Sequence, residues 1–141
     1  QNPTGLGAAL QLTIGDPQTT DYFDLDAAGN ITCLTAGTYN SNIRLVTGRS
    51  GTTGEAQIYA RLLIDGVQAG NSTHTILDSE NFELPAAYTG VINLEAGQVL
   101  TIEIIRDTDG VDEGGVTAGI PAVAGWNPSP SVKVVLTVVS A

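Results

Sequence analysis

Apolar residues recur along this chain with a period of two, and nowhere with the 3.6-residue period of a helix. The clearest case is EAQIYARLLIDG at residues 55–66. There Ala56, Ile58, Ala60, Leu62 and Ile64 alternate with Gln57, Tyr59, Arg61, Leu63 and Asp65. Successive side chains on a strand point to opposite faces, so this segment has one dry face and one mixed face. Its end, Asp65-Gly66, tolerates positive φ and predicts a tight hairpin. The same pattern predicts strands in GAALQLTIG (7–15), TYNSNIRLVTG (38–48), YTGVINL (88–94), QVLTIEIIR (98–106) and SVKVVLTVVS (131–140). Glu95-Ala96-Gly97 reads as a tight link, and 16–22, 48–54, 70–82 and 107–130 read as longer connections. Short strands with turn-rich links and no convincing helix predict an all-β sandwich or barrel.

A chain of 141 residues is expected to form one domain, 1–141, and to bury roughly two-thirds of its unfolded surface. Fifteen acids against five bases give a net charge of −10, which disfavours nucleic acid and anionic lipid as partners. No apolar run reaches the ~20 residues of a membrane-spanning helix, so stable membrane insertion is not expected. The lone cysteine, Cys33, excludes an intrachain disulfide and a thiolate-rich zinc site, and it reads as a small core residue. The chain has no methionine and starts at Gln1, which reads as an excised C-terminal piece of a longer protein.

Several strands are apolar on both faces. In the last one, Val132, Val134, Leu136 and Val138 face one side, and Val135, Thr137 and Val139 the other. Strand 98–106 sets Leu100, Ile102 and Ile104 against Val99, Thr101, Glu103 and Ile105. With no helix to form a third layer, this predicts a homo-oligomer whose interface is one whole sheet.

Residues 23–45, FDLDAAGNITCLTAGTYNSNIRL, carry Phe23, Gly29, Ile31, Cys33, Gly37 and Tyr39 in the order and spacing of a known signature. The segment resembles that of the complement-type globular head, a branch of the trimeric tumour-necrosis-factor-like (TNF-like) jelly rolls. ARLLIDGVQAG and GVINLEAGQVLTIEI (90–104) resemble the family's middle strands, and SVKVVLTVVS its last strand, which lies in the sheet facing the trimer axis. The resemblance implies an all-β, TNF-like jelly-roll sandwich of two antiparallel sheets, assembled as a homotrimer. The Gly/Thr/Ala/Asn-rich composition with few aromatics is similar to phage fibre tips. In particular it resembles the C-terminal knob of the tail needle of short-tailed enterobacterial phages. That implies a virion protein carried on an upstream coiled-coil needle or fibre shaft, acting outside the cell on a host cell-envelope component during attachment and genome ejection. The alternative is a secreted ligand- or carbohydrate-binding head, for which Trp126 in AGWNPSP is the aromatic candidate.

No catalytic constellation stands out, so no enzyme and no cofactor are expected. His74, in the polar stretch NSTHTILDSE, reads as a solvated loop residue. Asn30-Ile31-Thr32 and Asn71-Ser72-Thr73 match glycosylation acceptors, a short pattern that also arises by chance. Tyr59, Arg61 and Glu103 are the candidate trimer-interface residues. If their strands face a threefold axis, mutual Arg61–Glu103 salt bridges are the plain expectation. The sharper one is that spare arginine donors recruit a small anion or carboxylate at the subunit interface. The acidic stretch DTDGVDEGG offers Asp107, Asp109, Asp112 and Glu113 as ligands for a weakly bound cation. It fails the helix–loop–helix calcium pattern, because Val111 stands at the fifth place, glycine at the fourth and Ala118 at the twelfth. A solvated loop is the preferred reading.

Overall fold

The computed structural model describes residues 1–15, 17–49, 54–78, 83–106, 114–119, 124–125, 127 and 129–140. The strands are β1 (Leu10–Gln11), β2 (Gln18–Thr19), β3 (Phe23–Leu25), β4 (Ile31–Cys33), β5 (Gly37–Arg49), β6 (Ala56–Ile64), β7 (Val67–Leu77), β8 (Glu83–Leu94), β9 (Val99–Arg106), β10 (Gly114–Val116) and β11 (Val132–Ser140). They form two antiparallel sheets. One has seven strands in the order β2-β3-β4-β9-β6-β7, with β1 also paired to β9. The other has four strands built on β5, with β8 along one edge and β11 and β10 end to end along the other.

The alternation of β6 and β9 places Ala56, Ile58, Leu62, Leu100, Ile102 and Ile104 in the core. From the opposing sheet they meet Tyr39, Ile43, Leu45, Ile92 and Leu94. Tyr39 is fully buried, its hydroxyl donates to Thr35 O, and Phe23 packs on it edge-on with ring centroids 4.8 Å apart. Cys33 is buried beside it and unpaired. The hairpin after β6 forms as its sequence demands, with φ of 50° at Asp65 and 78° at Gly66.

Short strands β2 and β10 lie in stretches read as connections, and three longer segments also depart from the sequence reading. Residues 7–15 are not one long strand. Leu12 and Ile14 do point inward. Among the described residues, however, the ladder with β9 is limited to Leu10 and Gln11, with single amide bonds from Gly7 and Leu12 on either side, and β4 takes the next stretch of the same β9 edge. Residues 70–77 are not a connection but the second half of β7. The polar run 71–74 hides the strand, while Thr75 faces in and its hydroxyl bonds Thr47 at 2.9 Å. β8 begins at Glu83 rather than at 88 and runs through Pro85. Among the described residues it is an edge strand paired only to β5, where a missing N–H costs no ladder bond.

Candidate binding site on the seven-stranded sheet

Arg61 and Glu103 are directly opposite each other on β6 and β9, on the face turned away from the core. Glu103 Oε2 accepts from Arg61 Nε at 3.0 Å and from Nη2 at 2.6 Å. The pair is half in solvent, with the side chains 41% and 20% exposed. Tyr59 lies one step along the same face and stacks on His74 of β7, centroids 5.0 Å apart and planes 16° apart. The three residues expected to form a site therefore come together within one chain. His74, expected on a loop, sits on a strand with its ring against Tyr59.

What opens the site is a bulge in β7. Ala60 pairs with Thr73 and Leu62 with Ala69, so Arg61 alone faces Gly70, Asn71 and Ser72. Gly70 adopts a φ of 72°, and a Cβ there would lie 2.8 Å from the Tyr88 hydroxyl. That hydroxyl comes from the opposite sheet and bonds Ala69 O at 3.4 Å, which ties the bulge to the core. Gln68 Nε2 bridges Gly70 O at 3.1 Å and Ser72 Oγ at 3.3 Å. Between bulge, ion pair and Tyr59 lies a cleft of about 340 Å³, closed on its far side by Gly7, Ala9 and Ile105. Gln68, Ser72 and the cleft itself were not foreseen. A bulge is a property of strand pairing, and its one local trace was the glycine.

The outward face of the four-stranded sheet has a different character. β5 contributes Asn40, Asn42 and Arg44; β8 contributes Ala87, Thr89 and Val91; β11 contributes Lys133, Val135, Thr137 and Val139. Val91, Val135 and Val139 are 64%, 41% and 56% exposed. Among the described residues the only acid on this face is Glu83, at its end. β11 belongs to this sheet, whereas Arg61 and Glu103 belong to the other, and the two outward faces point in opposite directions. A single threefold axis cannot be lined by both.

Asp107, Asp109, Asp112, Glu113 and Trp126 lie outside the described residues. Among the described residues no group of three or more His, Cys, Asp or Glu side chains is placed to hold a metal ion. No described helix is long and apolar enough to cross a membrane.

No protein-family model and no curated protein sequence matches the chain. Among solved structures it is similar to Eiger TNF from S. frugiperda, at a TM-score of 0.51 and 11% identity, over 96% of this chain and 88% of that one. Murine APRIL, in a crystal structure at pH 5.0, aligns at a TM-score of 0.44 and 16% identity, over 75% of this chain and 95% of that one. The fold is a TNF-like jelly-roll sandwich.

Proposed function

We propose that this chain is a recognition head that acts without turnover and assembles as a homotrimer through the outward face of its four-stranded sheet. One observation carries the reading. On a chain with a net charge of −10, this face has a single described acid and leaves three valines in water. Copies meeting there bury apolar surface without opposing carboxylates. In that arrangement the Arg61 cleft lies on the outside of the assembly, away from the axis. Light scattering on the purified chain tests the assembly: a mass of three chains is expected, and a monomer would overturn it.

In its finer form, the head sits on the coiled-coil shaft of a phage tail needle or fibre. It contacts the host cell envelope and aids penetration and genome delivery. The low-charge, glycine- and threonine-rich composition supports this placement. The test is binding of the labelled trimer to intact enterobacterial cells, where retention is expected and none would remove the placement. A second reading, a secreted ligand- or carbohydrate-binding head, is favoured by the solvent-facing cleft at Arg61.

A further inference from the structure

We infer that the cleft between Arg61 and the β7 bulge is a subsite for a single sugar ring carrying vicinal hydroxyls. This rests on the reading of the chain as a recognition head, but not on its oligomeric state. The cleft's volume of about 340 Å³ sits at the small end of ligand pockets, matched to a monosaccharide unit rather than a longer chain. Its polar groups suit hydroxyls. Glu103 uses only Oε2 toward Arg61, and Arg61 uses only Nε and Nη2, so among the described residues Nη1 and Oε1 make no hydrogen bond. Both residues line the cleft, so it offers a free donor and a free acceptor, and each of two adjacent hydroxyls can both donate and accept. Ser72 accepts from Gln68 and retains its own proton to donate, while the Gln68 carbonyl oxygen is open. Tyr59, backed by His74 and next to Ile105, gives an apolar wall for the C–H face of a ring.

An anion fits less well. Glu103 already matches Arg61, the one cation lining the cleft among the described residues, and the rest of the chain is strongly acidic. The bulge also fixes the wall of the cleft. Gly70 is held by its left-handed backbone and by the Tyr88 hydroxyl behind it, and Gln68 ties Ser72 in place.

The test is an amide NMR titration of the intact, assembled chain with the methyl glycosides of mannose, galactose and glucose. Acetate and inorganic phosphate serve as separate probes. At least one glycoside should shift the amides of Arg61, Gln68, Ser72 and Ala9 in a saturable way. Arg61→Ala and Ser72→Ala should each weaken that binding about tenfold, the usual loss for a hydrogen bond to a charged or fixed polar group. Unshifted spectra elsewhere would show that both variants fold. Saturation by acetate or phosphate in place of the glycosides would overturn the inference, as would glycoside shifts that survive both substitutions or the absence of any shift. Light scattering on the same samples reports separately on the trimer, so failure of one reading does not pass for failure of the other.

Discussion

Arg61 and Glu103 form a cross-strand ion pair in which one carboxylate oxygen takes both guanidinium bonds, at 3.0 Å from Nε and 2.6 Å from Nη2. Because the arginine is 41% exposed, solvent screens most of its attraction. A double-mutant cycle with Arg61→Ala and Glu103→Ala, read by urea unfolding, should give a coupling of about 0–1 kcal/mol that shrinks as salt is raised. A coupling of several kcal/mol would show the pair to be buried in the assembly.

The face proposed for assembly makes a sharper demand. Val135 is opposite Asn42 and is exposed in the single chain. An aspartate there would bury one carboxylate per subunit where the valine buries apolar surface. Lys133 and Arg44, one pair away on the same face, offset its desolvation only in part, leaving a cost of about 1–3 kcal/mol each. Val135→Asp should convert the trimer to monomers in light scattering while the far-ultraviolet circular dichroism of the β-sandwich is kept. A Val135→Asp trimer of unchanged stability would move the interface elsewhere.

Gly29 and Gly97 share a left-handed backbone, with φ of 88° and 91°, but differ in space. A Cβ on Gly29 would fall well inside contact distance of Leu12 O, whereas nothing approaches one on Gly97. Gly97→Ala should cost about 1–2 kcal/mol, the conformational strain alone. Gly29→Ala adds a clash with backbone and should cost about 2–4 kcal/mol. Equal losses in thermal melts would contradict the close approach of Leu12, just after β1, to the turn between β3 and β4.

That turn is held by one carboxylate. Asp26 accepts from Asn30 Nδ2 at 2.7 Å, Asn30 N at 2.9 Å and Ala28 N at 2.8 Å. The Asn30 side chain, then its backbone amide, holds the Asp26 carboxyl below its ordinary value of 3.8. A depressed value in the folded state means stability present above the unfolded pKa and lost as pH falls through the folded one. Carbon-detected NMR titration should show Asp26 protonating below ordinary aspartates. Asn30→Ala should raise its midpoint toward them, and no change would separate the turn from the carboxylate.

Tyr39 gives the opposite sign. Burial, and then the neighbouring Cys33, raise its phenol above the ordinary 10.0. The unfolded chain gives up this proton first, so stability is full below about pH 10 and falls as pH rises toward the folded value. Tyr39→Phe should cost about 1 kcal/mol at neutral pH by removing the bond to Thr35 O. It should also flatten the alkaline end of the stability profile.

Most of the fold was legible because its long strands are written in apolar alternation. Ala56–Ile64 and Val99–Arg106 read correctly in extent and in which side faces in, and Asp65-Gly66 read correctly as the turn that ends the first of them. What escaped was structure specified by pairing rather than by pattern. β7 escaped because its inward positions include Thr73 and Thr75, whose hydroxyls look like loop chemistry until Thr47 is seen to receive one of them. The lower half of β8 escaped because Pro85 reads as a break, and only its place on an edge makes it harmless. Tyr59, Arg61 and Glu103 were found from an unusual aromatic and charged face. Their surroundings were not, since a lone glycine does not say that three residues of β7 stand against one of β6.

That mismatch has a consequence for how such a head can vary. Gly70, Asn71 and Ser72 lie between two pairings that are set by Ala69 and Thr73. Lengthening or shortening the chain at this point leaves the register on either side intact and the core untouched. The wall of the cleft can therefore be redrawn by insertion or deletion, a larger step than substitution allows, while the sandwich that carries it stays the same.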